Sequence, residues 1–216
     1  MRVLVVAATD GELTSFHENP SIPGHTLDIL VTGVGMVATA AHVSRALALT
    51  RYDIALNLGV CGAFDRSLAL GTVVHVASDS LPELGVQDGP TFIPAQLVGL
   101  VPADATPFAG GRLLNHAPPS STILAGLPQV AGITVNTVHG EDEAIAAVVA
   151  RVSPQVESME GAAFMYACLI AGVPFAQIRA VSNYVERRNR AAWQLGPAIE
   201  ALGQTASALI TQLQVR

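Results

Sequence analysis

The chain has 216 residues, half of them hydrophobic and only 13% charged, which suits one well-packed domain over residues 1–216 with a sizeable buried core. Its formal charge of −6 argues against binding a nucleic-acid backbone. All eleven basic residues are arginine, and the absence of lysine excludes a P-loop lysine, Schiff-base chemistry and pyridoxal-phosphate attachment.

The cysteines, Cys61 and Cys168, lie far apart without metal-ligand spacing and are expected as small buried hydrophobes in a reducing compartment. Residues 1–10 reach a carboxylate too soon for a secretory signal, and no apolar run reaches membrane-spanning length, so a cytoplasmic protein without a membrane partner is expected. The histidines His17, His25, His42, His75, His116 and His139 show no paired metal spacing, and neither metal nor cofactor is expected.

In chain order, residues 3–8 read as a buried strand that ends in Thr9-Asp10-Gly11-Glu12. Glu12 there is either a first-turn glutamate favoured by the helix dipole or a carboxylate aimed into a cleft at the strand's end. Residues 25–32 form a second strand, and Gly33-Val-Gly-Met-Val-Ala carries it into a helix over 36–49. That Gly-x-Gly-x-x-Ala run fits a dinucleotide fingerprint, but Asp53 precedes the next strand (54–58) instead of ending it, where a ribose-binding acid belongs. Asn57-Leu-Gly-Val-Cys-Gly62 repeats the form of a strand ending in glycine-bracketed backbone. Residues 71–78 make another strand, 81–128 irregular cover with short elements, 132–138 a strand and 141–152 a helix with an acidic first turn. A last helix runs from about residue 191 to the C-terminus, with Ile199, Leu202, Ala206, Leu209 and Leu213 on one face and Pro197 limiting its first turn. Alternating strands and helices predict an α/β three-layer αβα sandwich around a mixed, mainly parallel twisted sheet.

Residues 156–193 hold most of the side chains capable of chemistry. A helix over 159–171 opens with Met159 and Glu160, and the apolar strand 175–181 carries Arg179 and delivers Ser182 and Asn183 to its carboxyl end, where ligands collect in α/β sheets. Arg187, Arg188 and Arg190 follow on a loop with Trp193. No serine or cysteine pairs with a histidine for acyl transfer, whereas two carboxylates, Glu12 and Glu160, suit displacement at a sugar carbon through an oxocarbenium-like transition state.

Gly33-Val-Gly-Met-Val-Ala, Asn57-Leu-Gly-Val-Cys-Gly-Ala, Glu157-Ser-Met-Glu-Gly-Ala and Ile178-Arg-Ala-Val-Ser-Asn, in this order, resemble the nucleoside phosphorylase and nucleosidase superfamily, nearest to the methylthioadenosine/S-adenosylhomocysteine nucleosidases and the futalosine hydrolases of menaquinone biosynthesis. The resemblance implies that Glu12 activates water, Arg179 helps hold that water, Glu160 grips the ribose hydroxyls and Met159 packs on the sugar, with Gly62 and Ser182 in the binding site. Asn183 stands where the adenosine-type nucleosidases carry a proton-donating aspartate, and Val60 where they carry a serine. An asparagine amide donates to N7 or to a 6-oxo oxygen without giving up a proton, which points to hypoxanthine as the leaving base. A substrate carboxylate is expected to pair with Arg187, Arg188 or Arg190. The expected partners are a purine nucleoside and water, with the chain in a homodimer or larger homo-oligomer. Alternatives are a methylthioadenosine-type or aminofutalosine nucleosidase, a purine nucleoside phosphorylase and, of another class, an NAD-binding oxidoreductase.

Overall fold

The computed structural model describes residues 1–17 and 24–213. Strand β1 (Arg2–Ala7) leads through a 3-10 helix (Asp10–Leu13) into the short α1 (Thr14–His17), and β2 (Thr26–Val31) lies parallel to β1. Helix α2 (Met36–Leu49) precedes β3 (Ile54–Ala63), which is followed by β4 (Val73–Asp79). The stretch expected as irregular cover holds a separate hairpin of β5 (Gly85–Asp88) and β6 (Thr91–Pro94), then β7 (Leu113–Leu114) and α3 (Thr122–Gly126). Strand β8 (Gln129–Thr134), α4 (Asp142–Val152), β9 (Val156–Ser158), α5 (Gly161–Ala171), β10 (Phe175–Tyr184) and α6 (Leu195–Gln212) complete the chain, with a 3-10 helix at Arg190–Ala192. The last residues of the expected C-terminal helix, 214–216, lie outside the described residues.

The α/β class and the mixed sheet are as expected, but the sheet is not a simple open layer. Strand β10 pairs in parallel with β3 and antiparallel with β4; β4 continues through β8 and β9, and β9 returns antiparallel to β3. The ring β3–β10–β4–β8–β9 thus closes on itself, and β1 and β2 extend it on the far side of β3. Alternation of side chains along the strands sorts the core accordingly. Val3 and Val5 of β1 join Leu56 and Leu58 of β3 and Ile178 of β10 beneath α6, while Leu4 and Val6 meet Phe164, Met165 and Cys168 of α5 and Val43 of α2. Cys61, Val74, Val76, Val130, Val156 and Val181 form a third cluster contributed by the strands of the ring. A closed ring with its own apolar filling is what the three-layer reading lacked, because β9 is only three residues long and carries no periodic pattern of its own.

Leu202, Ala206 and Leu209 of α6, and Leu213 just past its end, are buried as the spacing predicts, and Pro197 sits in the first turn. Among the described residues no helix is long and apolar enough to cross a membrane.

A polar network inside this core anchors the start of α5. Asp79 accepts from the Ser80 N–H at 2.8 Å, from Thr134 Oγ1 at 3.1 Å and from Gln177 Nε2 at 3.1 Å, while Thr134 Oγ1 accepts the Ala162 N–H at 2.7 Å. Gly161 has no room for a side chain, since a Cβ would fall on Asp79 and Gln177. Burial pushes the Asp79 carboxyl up to about 6, against the opposing pull of its hydrogen bonds. Because the folded state holds this proton more tightly than the unfolded chain, the Asp79 contribution to stability is fullest at low pH and is lost as pH rises toward 6. Relative to Asp79→Asn, the wild type is expected to lose roughly 2–3 kcal/mol of unfolding free energy between pH 4 and pH 7. Urea denaturation of both proteins across that range checks this, and parallel pH profiles would contradict it.

Candidate functional site

The site forms where β3 changes partners. Strand β10 runs along one edge of β3 from Ala55 to Ala63. On the other edge β1 pairs as far as Val6 opposite Asn57, and pairing with β9 starts only at Gly62, opposite Glu157. The backbone between is left open to side chains, and Glu12 takes it: its Oε1 accepts the Val60 N–H at 3.1 Å. Its Oε2 accepts from the backbone N–H and Oγ1 of Thr9 at 3.1 and 3.2 Å. Glu12 is therefore both the first-turn glutamate of a short helix and a cleft carboxylate, so the two sequence readings are not exclusive.

Behind Glu12 lies Arg179 of β10, 1% exposed. Its Nη2 donates to Asn57 Oδ1 at 2.5 Å, and its Nη1 lies 3.4 Å from Glu160 Oε2. Gly59 makes the space: a Cβ there would fall on Arg179 Nη1 and sit 2.9 Å from Glu12 Oε1. Glu160, at the N-cap of α5, turns its other oxygen to the Gly35 N–H at 3.1 Å. Gly33 and Gly35 adopt φ of +83° and +100°, the left-handed side that favours glycine. This turn thus offers its N–H to a carboxylate of the same chain at the N-terminus of α2, the place a dinucleotide pyrophosphate would occupy.

Strand β10 does not end at residue 181 as its apolar run suggests. It continues to Tyr184 and bulges between Val181 and Asn183, which face Cys61 and Gly62 of β3. In a regular strand Ser182 and Asn183 would point to opposite faces; the extra residue lets both line the cleft. Ser182 Oγ donates to Asn183 Oδ1 at 2.8 Å, and one N–H of Asn183 Nδ2 goes to the Tyr184 carbonyl at 3.0 Å, leaving the second directed by the first.

The cleft encloses about 340 Å³ and is lined by Glu12, Val60, Cys61, Gly62, Glu157, Met159, Glu160, Ser182 and Asn183, with Thr9, Val34, Val138, Trp193 and Ile199 around them. Ile199, expected on the core face of α6, borders the cleft instead. Cys61 is no nucleophile here, since burial pushes its thiol up to about 12. Arg187, Arg188 and Arg190 are exposed on the loop beyond β10 and do not line the cleft. The guanidinium carbons of Arg188 and Arg190 stand 5.9 and 6.0 Å from the ring centre of Trp193, which does line it. Among the described residues no group of three or more His, Cys, Asp or Glu side chains is placed to hold a metal.

Asn57, Gly59, Glu157 and His139 belong to this arrangement without having been assigned roles from sequence. Glu157 stood in view, three residues before Glu160, but its strand was missed. His139 contacts it through Nδ1, 2.7 Å from Oε2, a pairing across 18 residues that no local spacing announces.

The Phosphorylase superfamily model matches residues 6–214. A futalosine hydrolase of Thermus thermophilus is 30% identical over 211 residues, covering 94% of this chain and 89% of the relative. One from Acidothermus cellulolyticus is 34% identical over 187 residues, covering 85% and 75%. The solved futalosine hydrolase of Helicobacter pylori superposes with a TM-score of 0.82 at 12% identity, over 99% of this chain and 98% of that one, a likeness of fold.

Gly59→Ala is expected to destabilise the protein by about 1–3 kcal/mol, because the buried guanidinium has to leave its place between Asn57 and Glu160. A urea denaturation midpoint equal to that of the wild type would show that Arg179 does not depend on the missing Cβ.

Proposed function

We propose, on the premise that this chain belongs to the phosphorylase superfamily and within it to the futalosine hydrolase family, that it is an N-glycosyl hydrolase releasing hypoxanthine from futalosine on the route to menaquinone. The observation that carries the hydrolytic reading is the character of the cleft: Glu12, Glu157 and Glu160 line it, and no basic side chain does among the described residues. Phosphate attack requires cations around the nucleophile. A carboxylate-lined pocket repels phosphate and activates water.

In this reading Glu12 is the general base. Three donors fix its carboxylate, two on Oε2 and one on Oε1, so Oε1 keeps a lone pair for the proton of water. Glu160 accepts from the ribose hydroxyls with the capacity left by Gly35 and Arg179, and its negative charge favours the oxocarbenium-like sugar as the bond to the base lengthens. Met159 packs beside the sugar. Arg179, behind the cleft wall, offsets the mutual repulsion of the carboxylates and helps to hold the water through them. The free N–H of Asn183 bonds the departing base, with Ser182 fixing the amide and Gly62 leaving room for it: a Cβ there would lie 3.2 Å from Asn183 Nδ2. Hypoxanthine leaves as a hydrogen-bonded anion.

Futalosine carries a carboxylate on its ribose side, and Arg188 and Arg190 flank Trp193 at the rim where that group would emerge, with Arg187 beside them. The enzyme acts in the cytoplasm, on a nucleoside and water alone, as one domain in a homodimer or larger homo-oligomer.

Glu12→Gln is expected to lower kcat by about 10² to 10⁴ while the Michaelis constant changes little, since the amide keeps the shape but not the basicity. Near-normal steady-state turnover would remove Glu12 from the mechanism. Alanine at Arg187, Arg188 or Arg190 is expected, for whichever pairs the substrate carboxylate, to raise the Michaelis constant about tenfold with kcat kept. If all three variants retain the wild-type constant, the carboxylate is held elsewhere.

A further inference from the structure

One carboxylate of the cleft has no part in the chemistry above. Glu157 enters from β9 and is 4% exposed. A single residue holds both its oxygens: Oε1 accepts the His139 backbone N–H at 3.1 Å, and Oε2 lies 2.7 Å from the His139 ring Nδ1. Phe64 packs edge-on against that imidazole, 6.0 Å between ring centres, so the holder is itself fixed. With its proton on Nδ1 the histidine donates to Glu157, and the carboxylate keeps lone pairs for a ligand.

Glu157 and Asn183 are neighbours through Gly62, which pairs with Glu157 on β9 and with Asn183 on β10. The Glu157 Cγ lies 3.6 Å, and Asn183 Nδ2 3.2 Å, from the point where Gly62 would carry a Cβ. An acceptor and a donor therefore stand side by side at this end of the cleft. Glu12 and Arg179 gather around Gly59, three residues back along β3, about 10 Å away. One nucleoside spans that distance, sugar at Gly59 and base at Gly62.

We infer that Glu157 is a specificity-determining residue that accepts the N1–H of a 6-oxopurine, while Asn183 donates to the adjoining O6 and N7 edge. This rests on the nucleosidase reading of the same cleft. A 6-oxopurine presents a donor at N1 beside an acceptor at O6, matching Glu157 and Asn183. A 6-aminopurine presents the reverse, so that a bare ring nitrogen meets the carboxylate and an amino group meets the amide N–H. Both contacts are then mismatched in a buried place, where an unpaired polar group is costly. His139 is a positioning residue, acting through the carboxylate it orients.

The test is kcat/KM for two nucleosides with the same 5′ group, one 6-oxo and one 6-amino, with the wild type, Glu157→Gln and His139→Ala. The wild type is expected to prefer the 6-oxo substrate, and Glu157→Gln, whose amide both accepts and donates, to reduce that preference at least about 100-fold. His139→Ala is expected to reduce the same ratio, more than it reduces kcat on the 6-oxo substrate. Equal losses on both substrates in Glu157→Gln would make Glu157 a purely structural prop and overturn the inference. A wild type that releases base from neither nucleoside would overturn the nucleosidase reading instead. Titration of the wild type with hypoxanthine and 1-methylhypoxanthine decides the role of Glu157 in that event, or if the variant does not fold. Binding of hypoxanthine at least about 100-fold tighter supports the inference, and equal binding contradicts it.

Discussion

The site depends on a cation kept almost wholly out of water. Arg179 has 1% of its surface exposed and answers that burial with Asn57 on one nitrogen and Glu160 on another, with Glu12 close by across Gly59. A buried guanidinium is tolerable only when its charge is met, the more so here because Arg179 Nε has no partner among the described residues, and the carboxylates around it are equally unfavourable without it. Each part of the arrangement therefore constrains the others. Glycine is required at residue 59, an amide at residue 57, and the α5 N-terminus has to be held where Glu160 can reach. The network of Asp79, Thr134 and Gln177 supplies that last condition from inside the core.

The topology explains why such a cluster can face a ligand at all. A strand in mid-sheet has both edges satisfied, but β3 exchanges β1 for β9 along one edge and leaves backbone unclaimed between them. That opening is the crevice at the carboxyl ends of parallel strands in which α/β proteins place their ligands. In the proposed mechanism the chemistry is ordered by position on β3: carboxylate base and buried cation near Gly59 and Val60, base-recognising groups near Gly62. Glu160, proposed to grip the ribose, comes from the start of α5, which packs against α2, so Gly35 at the start of α2 can bond it.

Much of this was legible in the sequence, and the residues show why the remainder was not. Helix α2 and the starts of β3 and β10 follow from apolar runs and spacing, and Glu12, Glu160, Arg179, Ser182 and Asn183 read as one cleft from their places along strands and at helix ends, although Arg179 lies behind its wall and not in the lining. The ends of β3 and β10 were set too early. Glycines normally weaken a strand, yet in β3 they sit in mid-strand because Arg179 and Asn183 need the volume a Cβ would fill. The bulge at Ser182 has no signature in composition. Closure of the sheet was hidden because it depends on β9, too short for periodicity to register, and Glu157 was hidden with it. Its partner His139 looked like one more isolated histidine until the fold brought it to the carboxylate.

A cleft walled by carboxylates is suited to deliver water, not phosphate, to a ribosyl purine. The most direct measurement is base release from futalosine in ¹⁸O-labelled water, with and without inorganic phosphate, with the sugar product followed by mass spectrometry. Hydrolysis at this cleft gives hypoxanthine at the same rate in both buffers and one labelled oxygen on the anomeric carbon of the sugar product. Release that requires phosphate and yields an unlabelled sugar phosphate would contradict it.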